Sequence, residues 1–326
     1  MRACLCLRGA AKILAWVREE LPQDEVVECS PADVAEVARS CDVLVPLVAR
    51  IGEDALASPR LRLVQQFGAG LDGVDVEAAS RHGVYVANIP SSETANADSV
   101  AELAVLLMLA LARKLQRTQE SLRARRLGAP MGTTLMGKTV AIVGFGGIGR
   151  AIARRLRGFN VRTIAVSRRG PRGDEADADR HVAASALSEI LGQADFVVVA
   201  TPLDEKTRGL IGKDAFACMK DGALLVNVAR GPVIDREALL EALGSGKLGG
   251  AGLDVFWDEP PDPDDPLFAL NVVATPHIGG ATDVSFRGLA AAVADNVNRI
   301  RRNEVPRNCV NATSIDPAAL RAKQRR

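Results

Sequence analysis

The sequence predicts an α/β protein built from two doubly wound parallel-sheet domains of the Rossmann or flavodoxin-like kind. Three observations predict this fold. The length of 326 residues exceeds what a single hydrophobic core usually serves. Short β-prone segments alternate with helical segments along most of the chain, as in parallel sheets covered by helices. Near the middle of the chain, a glycine-rich turn joins a strand pattern to a helix pattern.

The first ninety residues predict a small α/β domain. Its β-prone segments are 3–7, 25–29, 42–46, 61–65 and 84–86. The helical segments between them are 10–20, 31–38, 52–57 and 74–82. Next, Ser99-Val-Ala-Glu102 has the form of a capping box and predicts the start of a long apolar helix to about Lys114. An arginine-rich connector over 117–132 follows.

A second α/β unit follows the connector, with six predicted strands. These are 138–144, 161–166, 196–200, 223–227, 250–254 and 271–274. A final helix over about 285–302 precedes a short apolar piece, 308–310, that we expect to return to the first domain. We therefore expect a substrate domain from 1–98 and 285–326, and a dinucleotide-binding domain over 99–284. Ligands bind beyond the carboxyl ends of strands in open α/β sheets, which predicts an interdomain active-site cleft.

Composition and charge exclude several classes of protein. The chain is 48% hydrophobic and 25% charged with a net charge of +1, so nothing favours nucleic acid as a partner. The longest apolar run, 103–112, is too short to span a membrane. The six cysteines lack C-x-x-C spacing, which favours small buried hydrophobic residues over disulfides or a metal site. We expect a cytoplasmic protein with no metal ion.

The glycine-rich turn predicts a dinucleotide site. Lys138-Thr-Val-Ala-Ile-Val-Gly144 is a buried-strand pattern, and the turn continues as Phe145-Gly-Gly-Ile-Gly149 into a helix. In this G-x-G-x-x-G pattern the first glycine permits the tight turn and the second admits a pyrophosphate. The third lets helix and strand pack closely, and the helix N-terminus favours the phosphates.

Only three histidines are candidates for acid–base chemistry. His82 ends a helix before a glycine and is expected to be structural, and His181 follows an acidic stretch and is expected at the surface. His277 follows a strand, between a proline and two glycines, where a rigid loop can present it to a ligand. By itself, His277 fits a catalytic role and a core role equally well.

Two further strand ends carry charged residues. Arg230 ends the apolar strand of Val226-Asn-Val-Ala-Arg230 and is held by a Gly-Pro turn. Its guanidinium is expected either to bind an anion or to lie exposed at the surface. Glu259 follows another strand on a proline-stiffened loop, where Asp258 competes for the same role. The three residue types together suit the reduction of a 2-oxo acid. The arginine can bind the carboxylate of the substrate, the histidine can donate a proton, and the glutamate can orient the histidine.

These segments together resemble the D-isomer-specific 2-hydroxyacid dehydrogenases. The resemblance covers the whole chain and rests on 144–149, Asn227-Val-Ala-Arg-Gly-Pro-Val-Ile-Asp235, the Glu259 segment and Thr275-Pro-His-Ile-Gly-Gly280. It implies that Arg230 binds substrate, that Glu259 pairs with His277, and that His277 is the acid/base. A glutamate rather than a glutamine beside the histidine disfavours the formate-oxidising branch. The family usually pairs two subunits through the nucleotide domain, which implies a homodimer.

The resemblance also implies binding residues. Backbone N–H groups near Ala69 and Gly70 would meet the substrate carboxylate. The implied cofactor-binding residues are Gly144, Gly146, Gly147, Ile148, Gly149, Pro202, Thr207, Val228, Ala229, Asp254 and Gly279. The segment 89–98 is longer than the usual linker of the family, and Arg50 is either a second anion-binding residue or simply exposed.

The choice of cofactor depends on the end of the strand over 161–166. An acidic residue expected there for NAD is missing, and Ser167-Arg168-Arg169 stands in its place. Arginines, including Arg172, can hold the 2′-phosphate of NADP, so NADP is the predicted cofactor and NAD the alternative. If the cofactor is NAD, Asp174 or Glu175 would have to fold back and bind the ribose hydroxyls.

An NADP preference favours reduction of glyoxylate or hydroxypyruvate. Two alternatives remain open from the sequence: an NAD-dependent phosphoglycerate-type dehydrogenase, and a nucleotide-gated scaffold like the corepressors related to the family.

Overall fold

The computed structural model describes residues 1–171 and 177–324, which form two compact units. One unit comprises Met1–Asn96 with Asp283–Arg326, and the other comprises Ala97–Thr282. Both boundaries lie two residues from the predicted ones. Within the described residues, no helix combines the length and the apolar character that crossing a bilayer requires.

Strands and helices alternate along most of the chain. The strands are β1 Arg2–Leu5, β2 Glu25–Glu28, β3 Val43–Val45, β4 Leu63–Gln65, β5 Tyr85–Ala87, β6 Thr139–Val143, β7 Arg162–Ser167, β8 Arg180–Ala183, β9 Phe196–Val199, β10 Ala223–Asn227, β11 Leu248–Leu253 and β12 Val272–Ala274. The α-helices are α1 Ala11–Glu20, α2 Val34–Ala38, α3 Glu53–Leu56, α4 Val76–Arg81, α5 Asn96–Ala112, α6 Leu115–Arg123, α7 Gly147–Leu156, α8 Leu187–Leu191, α9 Lys213–Cys218, α10 Arg236–Gly244, α11 Asp283–Arg301 and α12 Pro317–Gln324.

The first unit is a five-stranded parallel sheet in the order β2-β1-β3-β4-β5. Side chains of β1 alternate between two cores, since successive residues of a strand point to opposite faces. Ala3 and Leu5 pack with residues of α1 and α11, while Cys4 packs in the core on the opposite face. As expected, the chain returns to this sheet near its end, where Val310 N–H donates to the Val86 carbonyl at 2.8 Å.

The second unit is a seven-stranded parallel sheet in the order β12-β11-β10-β9-β6-β7-β8. Its central strands are buried on both faces, which explains their continuous apolar sequences. The six predicted strands are present. The seventh, β8, pairs with β7 at the sheet edge and was not predicted, because its sequence Arg-His-Val-Ala lacks an apolar run.

Three further expectations are corrected. The helix α5 begins at Asn96, so Ser99 and Glu102 lie inside it and do not form a capping box; the Ser99 hydroxyl lies 2.7 Å from that of Thr282. The connector over 117–132 contains most of a helix, α6. His181, expected at the surface, is half-buried in β8.

The six cysteines are free thiols; Cys218 is exposed and Cys309 is half-buried, so the expectation of small buried residues holds for only four of them. Cys4, Cys6, Cys29 and Cys41 are buried in one core of the first unit. The sulfur atoms of the first three lie within 4.8 Å of one another, a spacing at which soft metal ions can be held. Their surroundings are apolar.

Candidate active site and cofactor pocket

Three neighbouring strands of the second unit carry the predicted catalytic residues. Arg230 follows β10, Glu259 follows β11 and His277 follows β12. The three strands are adjacent and parallel, so their carboxyl ends lie at one edge of the sheet. This topology explains how residues that are far apart in sequence belong to one group of loops.

His277 and Glu259 form a direct pair. The Nδ1 atom of His277 lies 2.7 Å from Oε2 of Glu259, and the two side chains are 36% and 26% exposed. The other carboxylate oxygen, Oε1, accepts a hydrogen bond from Phe256 N–H at 3.0 Å. Burial alone would raise the pKa of Glu259, but the hydrogen bond and charge of His277 lower it overall. The imidazole is therefore oriented by an ionised carboxylate, and Nε2 is the ring nitrogen that can exchange a proton with a substrate.

Asp258, the competing carboxylate, is exposed, and among the described residues it forms no hydrogen bond or ion pair with His277. Glu259 is therefore the partner of the histidine.

The backbone around His277 is organised by Asp254. His277 has φ of +53°, in the left-handed region that few residues other than glycine adopt. The Asp254 carboxylate is 2% exposed and accepts three hydrogen bonds, from the Thr275 hydroxyl (2.7 Å) and from Ile278 and Gly279 N–H (2.8 Å each). Its carbonyl also accepts from His277 N–H at 2.8 Å. Burial raises the pKa of Asp254, although these hydrogen bonds oppose the change.

Arg230 lies in a loop that packs closely against the loop of Glu259. Its guanidinium donates to the Ala229 carbonyl at 2.7 Å, and the Arg230 carbonyl accepts from the Asn227 side chain at 2.9 Å. A Cβ at Gly231 would lie 2.1 Å from the carbonyl carbon of Phe256, so only glycine permits this approach. The positive charge of Arg230 contributes to the lowered pKa of Glu259.

The glycine turn has the geometry that its sequence predicts. Gly144 has φ of +100°, and a Cβ there would lie 2.5 Å from Thr201 N. A Cβ at Gly149 would lie 2.1 Å from the Gly144 carbonyl oxygen, whereas one at Gly146 would meet nothing within 4 Å. Gly146 is also the residue that precedes α7, so the open space lies at the helix N-terminus, where an anion is favoured.

A pocket of about 540 Å³ lies beside this turn, at the carboxyl ends of β6, β7 and β9. Its wall includes seven of the predicted cofactor residues: Gly144, Gly146, Ser167, Arg168, Arg169, Pro202 and Thr207. Arg150, Lys206 and His181 also line it. Among the described residues its wall therefore has four cationic side chains and no carboxylate.

The residues after β7 have distinct contacts. Oγ of Ser167 lies 2.7 Å from Nε2 of His181. Arg168 is paired with Asp204 at 2.6 Å and is largely exposed, so part of its charge is compensated. Arg169 is exposed and has no hydrogen bond or ion pair with the residues that the structure describes. Arg172, Asp174 and Glu175 fall outside the described residues.

The remaining predicted cofactor residues do not line this pocket. They are Gly147, Ile148, Gly149, Val228, Ala229, Asp254 and Gly279. Val228 and Ala229 are buried at the end of β10, and Gly279 binds the Asp254 carboxylate. Thr207 has a structural contact as well, since its hydroxyl donates to the Pro202 carbonyl at 2.7 Å.

The predicted substrate-binding residues of the other unit lie in loops after its strands. Ala69 is exposed and its carbonyl accepts from the Asn88 side chain at 2.8 Å, while Gly70 is half-buried. Arg50 is exposed in the loop after β3. Their roles stay predictions.

Sequence reasoning missed Arg150, His181 and Lys206 as pocket residues. Arg150 directly follows the last glycine of the turn, so its position could have been noticed. No sequence signal indicates His181, because only the pairing of β8 with β7 brings it next to Ser167.

Comparisons with known proteins show the family of this chain. The family model for the D-isomer specific 2-hydroxyacid dehydrogenase, NAD binding domain, matches residues 105–279. A glyoxylate reductase of Thermococcus kodakarensis is 41% identical over 318 residues, which cover 94% of this chain and 91% of the relative. The chain belongs to the D-isomer specific 2-hydroxyacid dehydrogenase family.

Two further relatives extend the comparison. A D-3-phosphoglycerate dehydrogenase of Methanocaldococcus jannaschii is 36% identical over 95% of this chain, which spans 59% of that longer protein. A solved structure of a Thermus thermophilus protein has a TM-score of 0.82 and 33% identity, covering 95% of this chain and all of the other. This D-2-hydroxyacid dehydrogenase is therefore an oxidoreductase that acts on CH–OH donors with a nicotinamide dinucleotide.

Proposed function

We propose that this D-2-hydroxyacid dehydrogenase is an NADPH-preferring reductase of glyoxylate or hydroxypyruvate. The observation that carries the NADPH preference is the wall of the pocket beside the glycine turn. Among its described residues, the cations are Arg150, Arg168, Arg169 and Lys206, and there is no carboxylate.

Electrostatics favours the phosphorylated cofactor in such a pocket. A carboxylate about 4 Å from a 2′-phosphate would repel it by roughly 4 kcal/mol per pair of unit charges at an effective dielectric constant near 20. Without that carboxylate, the ribose of NAD lacks its usual hydrogen-bond acceptor. Arg169 supports the proposal most directly, because it is exposed at the pocket and Arg168 already pairs with Asp204.

The proposed catalytic roles are supported by the loops at the ends of β10, β11 and β12. The nicotinamide, when bound, supplies the hydride. Arg230 binds the carboxylate of the 2-oxo acid and polarises its ketone through a forked pair of donors. His277 gives the proton on Nε2 to the developing alkoxide, and Glu259 holds the ring through Nδ1. Backbone N–H groups near Ala69 and Gly70 bind the substrate carboxylate in this proposal.

The substrate proposal is supported by relatives that are named glyoxylate reductase, at about 40% identity over most of both chains. The D-3-phosphoglycerate dehydrogenase relative favours a second candidate, a phosphoglycerate-type oxidation with NAD. Arg50 would then bind the additional phosphate.

We also propose a homodimer formed through the second unit. Of the eleven large hydrophobic side chains exposed among the described residues, five lie between 115 and 136. These are Leu115, Leu122, Leu127, Met131 and Met136, with exposures from 53% to 95%. Exposed apolar residues concentrated in one segment are typical of a protein–protein interface.

The decisive experiment is a panel of 2-oxo acids assayed with NADPH and NADH in parallel. We expect the highest kcat/KM with glyoxylate or hydroxypyruvate, and at least a tenfold preference for NADPH, equivalent to about 1.4 kcal/mol. In Arg169→Ala the NADPH preference should fall, while Arg162→Ala, at the start of the strand that precedes Arg169, should retain it.

Equal use of the two cofactors, or a preference for NADH, would contradict the cofactor proposal. A maximum with 3-phosphohydroxypyruvate would favour the second candidate.

A further inference from the structure

His181 lies in the wall of the cofactor pocket next to the residue that replaces the acidic residue of NAD enzymes. It belongs to β8, the edge strand that pairs with β7, and its Nε2 atom is 2.7 Å from Oγ of Ser167. Its ring centroid lies 5.2 Å from that of Phe145, which is part of the glycine turn. The imidazole therefore has defined neighbours on two sides, and one of them is a hydroxyl at the end of β7.

Among the described residues that line the pocket with His181, the charged side chains are all cations. Arg150, on α7, lies over the Phe145 ring at 5.0 Å and opposes protonation of the imidazole. Other charged residues near the pocket are Arg168 and Arg169 after β7, Asp204 and Lys206 after β9, and Asp177 and Arg180 around the start of β8. Both acids are paired with arginines: Asp204 with Arg168, and Asp177 with arginines of α7 and the turn after it.

We propose that His181 is a positioning residue for the 2′-phosphate of NADPH and acts through the hydroxyl of Ser167. Nε2–H of His181 donates to Oγ of Ser167, so the hydroxyl proton of Ser167 is directed to a phosphate oxygen. This inference rests on the proposed NADPH preference and adds a specificity-determining residue to it.

The proposed role of His181 depends on a single proton, that of the Ser167 hydroxyl. If Nε2 carries no proton, it accepts the hydrogen bond from Ser167 and the hydroxyl has no proton left for a ligand. If Nε2 is protonated, it must donate, and the hydroxyl keeps its proton. Among the described residues, the other acceptor within reach of that proton is the Gly170 carbonyl, at 3.4 Å, which is a weak hydrogen bond. A phosphate oxygen is a much better acceptor.

The pH dependence follows from the charge of the ligand. Burial, and then the nearby Arg150, lower the pKa of His181, which favours the neutral imidazole in the free enzyme. A phosphate dianion held through Ser167 favours the imidazolium and raises that pKa in the complex. Because binding of NADPH raises the pKa of His181, the affinity for NADPH falls as the pH rises through the pKa values that His181 has in the free enzyme and in the complex. Ionisation of the phosphate itself acts in the opposite direction, since the dianion binds cations more strongly.

The test compares KM for NADPH and for NADH in His181→Leu and His181→Gln, across pH 5.5 to 8.5. In His181→Leu we expect KM for NADPH to rise about tenfold near pH 6, and KM for NADH and kcat to stay near the wild-type values. The glutamine amide can donate to Ser167 but does not titrate. His181→Gln should therefore restore much of the affinity and lose the pH dependence that is specific to the histidine.

A double-mutant cycle tests whether the effect passes through Ser167. We expect Ser167→Ala and His181→Leu each to weaken NADPH binding, and the double variant to be no worse than Ser167→Ala alone. The control is His82→Gln, which removes a histidine of the other unit that is bonded to Glu53. Thermal melting of the cofactor-free variants identifies any loss of folding, and NADH kinetics identify damage to the pocket as a whole.

Two outcomes would overturn the proposal while leaving the NADPH preference intact. One is an unchanged ratio of the two KM values in His181→Leu. The other is full additivity of the two substitutions. An NADH preference of the wild-type enzyme is a different result, since it would refute the proposed cofactor and not the geometry of His181.

Discussion

His277 has a backbone conformation that costs a non-glycine residue about 1–2 kcal/mol. The conformation is held by hydrogen bonds from His277, Ile278 and Gly279 N–H to Asp254, which is buried at the end of β11. Asp254 thus holds the backbone of the His277 loop, while Glu259 orients the imidazole ring of His277. The family resemblance implied that Asp254 binds the cofactor. In the structure its carboxylate also accepts the hydrogen bonds that stabilise the loop.

The first prediction concerns His277→Asn. Asparagine adopts the left-handed region more readily than most residues, so this substitution preserves the loop and removes the acid/base. We expect kcat/KM for 2-oxo acid reduction to fall about a hundredfold to ten-thousandfold, with little change in the melting temperature. Steady-state kinetics with NADPH provide the measurement, and His82→Gln is the matched control. Wild-type turnover by His277→Asn would refute the acid/base role.

The turn between β6 and α7 is the element whose geometry was predictable in detail. The positive φ of Gly144, the open space at Gly146 and the close contact of Gly149 correspond to the three roles that the glycine spacing predicts. Local steric limits decide all three, so a short sequence contains the information.

The second prediction compares two substitutions in this turn. In Gly149→Ala the new Cβ would collide with the Gly144 carbonyl oxygen, so we expect the cofactor-free protein to lose about 1–3 kcal/mol of stability. In Gly146→Ala the Cβ meets no protein atom but enters the space expected for phosphate. Its cofactor-free melting temperature should therefore stay close to wild type, while KM for NADPH rises at least tenfold.

Thermal denaturation without cofactor and NADPH kinetics separate the two effects. Equal loss of stability in both variants would contradict the distinct roles of the two glycines.

Other elements were predicted poorly for identifiable reasons. The helix α6 has five charged or strongly polar side chains among nine residues and no apolar stripe of usual width, so its sequence resembles a connector. The strand β8 is four residues long and half-buried throughout, so it lacks a hydrophobic pattern. The strand β8 is stabilised by its pairing with β7 rather than by local sequence preferences.

At the scale of the whole molecule, the proposed homodimer leads to the last prediction. The double variant Leu122→Asp/Leu127→Asp places two carboxylates in the exposed apolar segment between 115 and 136. Because charges are disfavoured at the centre of an interface, we expect the dimer to dissociate. Light scattering coupled to size-exclusion chromatography measures the mass, with Val305→Asp, an exposed valine of the other unit, as control. A wild-type monomer, or a double variant that remains dimeric, would contradict the proposal.

The sequence by itself determined the two parallel-sheet units and the glycine turn, and it singled out Arg230, Glu259 and His277 as candidate catalytic residues at strand ends. Strand periodicity, glycine sterics and the chemistry of side chains at strand ends are local properties, which explains why they could be recognised. The pair of Glu259 and His277, which the family resemblance implied, is formed in the structure. Tertiary structure alone decided that Asp254 organises the loop of His277 and that His181 lies beside Ser167. These contacts depend on which strands become neighbours in the sheet, and the pairing of β7 with β8 and of β11 with β12 is not encoded in any single segment.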